Sequence, residues 1–226
     1  MFTLNQVVPW GRSYDEYRAM FALLDDDLNK PILGCGDGPA SFNAEATRRG
    51  YDVISVDPIY AFDAEAIRSR INDTYPTVIE QLAAYRDQYV WDRFATPDAL
   101  GQARLAAMNR FLADYPDGKA RGRYRTGQLP DLPFDTHTFH LALCSHLLFL
   151  YSDHLDEAFH VASVRELCRI AQEVRIFPLT TLAIKPSPHL AAVETWARQQ
   201  GYRIERVTVD YEFQRGSNTM LRIQCA

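Results

Sequence analysis

The apolar positions along this chain change period several times. Tyr17, Met20, Phe21 and Leu24 recur at helical spacing behind Ser13-Tyr14-Asp15-Glu16. That tetrapeptide is a capping box, in which the serine oxygen accepts the amide of Glu16 and the glutamate reaches back to the cap. It predicts an amphipathic opening helix over 13–28, stopped before Pro31 where helix cannot easily continue. Ile32-Leu33 then starts a short buried strand, 40–49 reads as a helix closed by Gly50, and 52–57 as a second strand. Strand, glycine turn, helix and strand make a βαβ unit, with parallel strands and the helix on one face.

The alternation is then interrupted. Residues 62–118 read as helical sequence broken at Pro76 and again at Thr96-Pro97, the latter an N-cap followed by proline at the first helical position. Leu100, Ala103, Ala107, Met108, Phe111 and Leu112 form an apolar stripe, while Tyr85, Tyr89 and Trp91 cluster at the end of the preceding helix. Three uses of this insertion stay open: a lid over an acceptor site with Trp91 and the tyrosines as stacking surface, a scaffold element, or a homodimer contact.

Beyond the insertion, 121–126 is a third strand with Arg121, Arg123 and Arg125 on one face, and 139–146 a fourth. The interior Leu141-Ala142-Leu143-Cys144 is continuously apolar, as burial on both faces requires. A helix through Val164, Leu167, Cys168 and Ala171 leads to a fifth strand at 174–179, and Ser187-Pro188 caps a helix that ends at Gly201. Val207, Val209, Tyr211 and Phe213 alternate with polar residues before Gly216-Ser217-Asn218 turns the chain into 220–225, a hairpin. The prediction is an α/β protein: one domain over 1–226, built on a Rossmann-like, seven-stranded, mostly parallel sheet with an antiparallel last strand and the helical insertion.

Composition narrows the partners. The chain has 226 residues, 47% of them apolar and 12% aromatic, enough for one full core. A net charge of −5 gives no global attraction to polyphosphate, so a small molecule is expected rather than nucleic acid or an anionic membrane. Cys35, Cys144, Cys168 and Cys225 form no C-x-x-C pair and sit mostly in apolar runs, which fits reduced thiols in a cytoplasm. Met1 to Trp10 lacks the basic, apolar and small-residue succession of an export signal, and no apolar stretch approaches the roughly 20 residues of a membrane span. A cytoplasmic location is expected.

In an open parallel sheet, ligands bind beyond the carboxyl ends of the strands. After the first strand comes Gly34-Cys35-Gly36-Asp37-Gly38, whose missing side chains let backbone approach a ligand while the following helix start offers free amides. Asp57, 19 positions after Gly38, ends the next strand, where a carboxylate can accept both hydroxyls of a ribose. An adenosine is implied. A nicotinamide cofactor would need glycine at position 39 to complete G-x-G-x-x-G from Gly34, and Pro39 stands there.

Ile32-Leu33-Gly34-Cys35-Gly36-Asp37-Gly38-Pro39-Ala40-Ser41-Phe42, then Val56-Asp57-Pro58, then Leu129-Pro130-Asp131-Leu132-Pro133-Phe134, resemble the successive motifs of class I S-adenosylmethionine-dependent methyltransferases. The match spans roughly residues 30–60 and 121–226. The resemblance implies that Gly34, Cys35, Gly36, Asp37 and Gly38 line the methionine part of S-adenosylmethionine or its product S-adenosylhomocysteine. It places Asp57 on the ribose, Pro58 and Ile59 on the adenine face, Gly127, Gln128 and Leu129 at the adenine edge, and Ser145 and His146 nearest the transferable methyl group. It implies O- or N-methylation of a small hydroxyl- or amine-bearing acceptor. The family usually has an acid at or just before the first glycine. Ile32, Leu33 and Gly34 fill those places here, and Asp37 is the carboxylate at hand to replace it.

Methyl transfer is an in-line displacement, so the acceptor must be held within about 3 to 3.5 Å along the reacting axis. A base helps a hydroxyl acceptor. His146 is the candidate because imidazole titrates near neutrality, and Tyr151 is a second; a plain hydrogen-bonded histidine at a strand end is the competing reading of His146. Arg12, in Trp10-Gly11-Arg12, is placed on the donor's carboxylate. Ser145, His146 and Asp153 have the residue types of a hydrolytic triad but no G-x-S-x-G elbow, and the histidines show no zinc spacing. Lys119, Arg121, Arg123 and Arg125 could attract an anionic substrate, but charges on alternate residues also protect an edge strand, and at the edge expected for strand three the protective reading is preferred. Two other functions remain: a protein that binds the donor or its product without turnover, and an NAD-dependent oxidoreductase, disfavoured by Pro39 and the terminal hairpin.

Overall fold

The computed structural model describes residues 8–225. Most of the segment read for an export signal, residues 1–7, lies outside the described residues. Seven strands form one sheet: β1 (Ile32–Cys35), β2 (Val53–Val56), β3 (Tyr124–Arg125), β4 (Phe139–Ser145), β5 (Ala171–Phe177), β6 (Arg203–Thr208) and β7 (Thr219–Gln224). Their order is β3-β2-β1-β4-β5-β7-β6. Strands β1 to β5 pair in parallel and β7 runs antiparallel to both neighbours, as the sequence pattern predicts. The order reverses at β1, between β2 and β4, which opens a crevice beyond the carboxyl ends of these strands. Register places Cys35 opposite Val56 on one side and Cys144 on the other, so the turn after β1 is level with Asp57 and Ser145.

Strand alternation explains how the continuous apolar runs are used. In β4, Ala142 and Cys144 face a layer with Val164, Leu167, Leu190 and Val193, while Leu141 and Leu143 face Tyr17, Met20, Phe21 and Phe42 on the other side. The first layer comes from α6 (Glu157–Ile170) and α7 (Leu190–Gln199), the second from α1 (Tyr14–Met20) and α3 (Phe42–Arg48).

Several boundaries differ from the sequence reading, each for a tertiary reason. The capping box of Ser13 and Glu16 is present, but the opening helix stops at Met20, and Ala22, at φ 46°, reverses the chain into α2 (Asp25–Leu28). Asp27 is the cause: it caps this second helix at the Leu24 amide, 3.0 Å, and forks onto Arg175 of β5, 3.1 Å for both bonds. Pro76 does not break its helix, which runs as α4 (Ala64–Ala84) with Ile71, Val78 and Leu82 buried around the proline. Packing there outweighs one missing backbone bond. Helix α5 (Pro97–Ala120) starts as predicted, with the Thr96 hydroxyl accepting the Ala99 amide at 3.1 Å, and it too contains a proline, Pro116.

The third strand shrinks to two residues at the sheet edge. Its arginines do not share a face: Arg123 forks onto Asp114 at 2.8 Å, Arg121 pairs with Asp117, and Arg125 donates to the Gly122 carbonyl. Ala171 belongs to β5 and not to the preceding helix, and α7 begins after His189, whose amide donates to the Ser187 hydroxyl. Tyr211 and Phe213 lie past the end of β6 and fold back over the sheet's carboxyl end.

Helices α4 and α5 both fall between β2 and β3 and pack on one another, and α5 also packs on α3 and β3. The stripe Leu100, Ala107, Met108, Phe111 and Leu112 is buried within the chain, so it serves as scaffold rather than as an open face. Among the described residues, no helix is long and apolar enough to cross a membrane.

Candidate active site

A cavity of about 530 Å³ occupies the crevice at the carboxyl ends of β1, β2, β4 and β5, within the range of small-molecule sites. Its first wall is the glycine turn. Gly36 and Gly38 have φ of +70° and +53°, a region that only glycine enters freely. A Cβ at Gly36 would lie 2.7 Å from the Leu147 side chain, whereas one at Gly38 would meet nothing within 4 Å. The turn is fastened to β2 by the Gly36 amide, which donates to the Val56 carbonyl at 2.9 Å.

Gly34 is a correction to the sequence reading, because it does not line the cavity. It lies inside β1 under the Asp37 carboxylate, whose Oδ2 would be 1.8 Å from a Cβ there. Asp37 folds back to accept the Tyr17 hydroxyl at 2.8 Å and the Ser55 hydroxyl at 2.6 Å. Burial pushes its carboxyl up to about 6 despite those two bonds. It braces the turn, with both oxygens engaged, and is not the free substitute for the missing family acid, although its edge still lines the cavity. Ile32, at the place of that acid, is fully buried in the core.

Asp57 ties two loops into one cradle. One oxygen accepts the Gly38 amide at 2.9 Å and the other the Ile59 amide at 2.8 Å, while the Tyr60 hydroxyl donates to the Gly38 carbonyl at 2.7 Å. Burial raises the Asp57 carboxyl above its ordinary value, partly offset by those amides. Each oxygen keeps lone-pair capacity for a further donor. Pro58 and Ile59 line the cavity beside it, as do Cys35, Gly127, Gln128 and Leu129. Gly127 is required by closeness, since a Cβ would lie 2.7 Å from the Val56 side chain. These residues fit the adenosine half of an S-adenosylmethionine-type ligand: an acidic pair of acceptors, a backbone cradle and apolar faces on either side.

At the end of β4, His146 takes a left-handed φ of 53°. Its amide donates to the Phe177 carbonyl at 2.7 Å, its Nδ1 is 2.9 Å from the Ser145 hydroxyl, and its ring meets Phe177 edge-on at 5.4 Å. Burial, with the charges of Arg12 and Arg104, holds its imidazole well below the usual range. It is neutral at pH 7, so the expectation of a base titrating near neutrality is corrected to a neutral hydrogen-bonding imidazole. Tyr151 also lines the cavity, and burial raises its phenol.

Arg12 lines the cavity, with Nη1 donating to the Trp10 carbonyl at 3.1 Å and a buried Nε that has no partner. Burial and the charge of Arg104 both disfavour its charged form. Its field acts on His146, Tyr151, Tyr17 and Tyr211.

Beside it lies a buried network absent from the sequence reading. Arg104 of α5 donates to Glu16 of α1 and, at 3.3 Å, to the Tyr211 hydroxyl, which in turn donates to Glu16 at 2.9 Å. Glu16 therefore does more than cap a helix. The available signal was Arg104 itself, a charge four residues after Leu100 and three before Ala107 on an otherwise apolar stripe.

Of the insertion, α4 faces the cavity with Arg70, Val78 and Leu82, and α5 contributes no lining residue. Tyr89 reaches the cavity stacked on Phe213 at 4.8 Å. Trp91, expected as a stacking surface, stands behind these two rings, edge-on to each, and does not line the cavity. Among the described residues, no three His, Cys, Asp or Glu side chains converge as a metal ion would need.

Strand order, the single antiparallel strand and the glycine turn facing Asp57 define the Rossmann-like fold of class I S-adenosylmethionine-dependent methyltransferases. Mitomycin 7-O-methyltransferase MmcR shares it with a TM-score of 0.51 at 14% identity, over 94% of this chain and 54% of that one. Magnesium protoporphyrin IX methyltransferase of Synechocystis PCC 6803, solved with bound SAM, gives 0.48 at 14% identity, over 93% of this chain and 76% of that one. At such identities the likeness is one of fold alone. The chain belongs to the family of the uncharacterized protein MJ0045 of Methanocaldococcus jannaschii, being 32% identical over 222 residues, 98% of this chain and 97% of that protein. No family model matches it.

Proposed function

We propose that the protein is an S-adenosylmethionine-dependent methyltransferase acting on a small molecule. The observation that carries this reading is the Asp57 carboxylate, held by the Gly38 and Ile59 amides at the mouth of the switch-point crevice with capacity for two more donors. In this reading Asp57 accepts the ribose hydroxyls, while adenine lies against Pro58 and Ile59 and along Gly127, Gln128 and Leu129. The methionine part crosses Cys35, Gly36 and Gly38 toward Ser145 and His146. When bound, the donor supplies a methyl group on a cationic sulfur. The chain's own residues orient the acceptor and exclude water, and His146, being neutral, offers it a hydrogen-bond partner rather than a strong base.

Calorimetry with S-adenosylmethionine and S-adenosylhomocysteine on the wild type and on Asp57→Ala tests this. Binding by the wild type and at least tenfold weaker binding by the variant are expected. No binding by the wild type, or equal binding by both, overturns the assignment. A second reading, binding of donor or product without turnover, is favoured by one feature: Ile32 stands where the family acid would be, and Asp37 is engaged with Tyr17 and Ser55. Donor binding with no transfer across a broad acceptor panel would decide for it.

A further inference from the structure

The cavity continues past the donor cradle into a chamber formed where Val78, Leu82, Tyr89, Leu182 and Phe213 pack together, with Leu150 beside them. Among the described residues, no acid belongs to this chamber. The acids that line the cavity are Asp37 and Asp57, both in the donor cradle and both already holding protein donors. An ammonium group entering the chamber would meet no counter-charge.

The charge at the chamber's inner wall is positive. Arg12 and Arg104 lie together beside a single carboxylate, Glu16, and Arg104 takes it. Among the described residues Arg12 forms no ion pair, its buried Nε has no partner, and its guanidinium donates to the Trp10 carbonyl. The other cation of the lining, Arg70, is exposed. Arg12 is half-buried, and a guanidinium whose Nε is buried with no carboxylate paired to it is costly unless a ligand completes it; a planar oxyanion matches its fork. Its charge acts on Glu16 and on four rings of the cavity lining, His146, Tyr151, Tyr211 and Tyr17, the last of which holds Asp37 of the donor cradle.

We propose that the acceptor is an apolar, ring-bearing oxyanion, a carboxylate or an ionised aromatic hydroxyl, and that Arg12 binds its charge. This rests on the methyltransferase reading and moves Arg12 from the donor's carboxylate, where the sequence places it, to the acceptor. An oxyanion needs no strong base, which accords with a neutral His146.

Three probes on one ring system test it: 2-naphthoate, 2-naphthalenemethanol and 2-naphthylmethylamine, titrated by calorimetry at pH 7.5 into protein saturated with S-adenosylhomocysteine. The naphthoate should bind at least tenfold tighter than the alcohol, and the amine weaker than the alcohol. Arg12→Gln should abolish the naphthoate's advantage and change S-adenosylhomocysteine affinity less than twofold, while Arg12→Lys, which keeps the charge, should retain part of the preference. Equal or tighter binding of the amine, no measurable naphthoate binding, or an advantage that survives Arg12→Gln overturns the proposal. A tenfold loss of S-adenosylhomocysteine affinity in Arg12→Gln returns the arginine to the donor and also overturns it. Failure of the wild type to bind S-adenosylhomocysteine sinks the underlying methyltransferase reading instead, so the two failures are distinct.

Discussion

Replacing Arg104 by methionine keeps most of the side chain's volume and removes its charge from a site where Arg104 and Glu16 are 1% and 4% exposed. Glu16 would then be a buried carboxylate without its ion-pair partner. Burial alone raises its carboxyl, but the charge and hydrogen bond of Arg104, helped by the Ser13 amide and the charge of Arg12, outweigh that and hold it at about 2 against an ordinary 4.5. At about 1.36 kcal/mol per pH unit, this depression corresponds to about 3 kcal/mol of stability. Removing one partner of a buried pair costs about 3–5 kcal/mol in general. The Ser13 amide at 3.0 Å and the Tyr211 hydroxyl at 2.9 Å remain to Glu16, which argues for the lower end.

The sign follows from the depressed value. The stability is fully present above pH 4.5 and is lost as pH falls toward 2, so wild type and variant should converge in acid. Urea unfolding followed by circular dichroism at pH 7, 5 and 3 reads this directly. The variant should lose about 3 kcal/mol at pH 7 and less at pH 3, and adding Glu16→Gln should recover at least about 1 kcal/mol. A cost below about 1 kcal/mol at pH 7, or a double variant less stable than Arg104→Met alone, would refute the reasoning.

Gly34→Ala should cost about 2–4 kcal/mol and weaken S-adenosylhomocysteine binding, because the new methyl displaces Asp37 from Tyr17 and Ser55; a chemical-denaturation midpoint unchanged from wild type would contradict this. Asp37 has a raised carboxyl, so the stability linked to it is full below pH 3.8 and lost as pH rises to about 6. Asp37→Asn should flatten that part of the stability profile, and identical urea midpoints for both proteins at pH 4, 5, 6 and 7 would dismiss it. The His146 ring, followed by NMR in labelled protein, should show no titration between pH 6 and 8; a midpoint at the ordinary 6.5 would remove the neutral-imidazole assignment.

Much of the fold was legible because its signals are local. The Ser13 box, the left-handed Gly50, the Thr96-Pro97 start and the apolar run of β4 each depend on a few neighbouring residues, and each is present. The site was legible where it is built from consecutive backbone: Gly36, Gly38, Asp57, Pro58, Ile59 and the Gly127 to Leu129 segment all meet in one cavity. Errors arose where a long-range partner overruled a local preference. Asp27 started a new helix because Arg175 of a distant strand holds it, and Pro76 stayed helical because its neighbours are buried.

Taken alone, the sequence determined the alternation of strand and helix, the parallel sheet with its antiparallel strand, and the placement of a glycine turn opposite Asp57, since spacing and backbone sterics suffice for these. Only the tertiary structure decided what the charges do. Arg104 meets Glu16 from 88 positions away and Tyr211 meets it from 195, so no window of the chain contains the network. The same assembly leaves Arg12 without a paired carboxylate among the described residues, turns Asp37 back over Gly34 and lowers the His146 imidazole. Each outcome depends on burial and on which opposite charges packing brings within reach, quantities that exist only once the chain has packed.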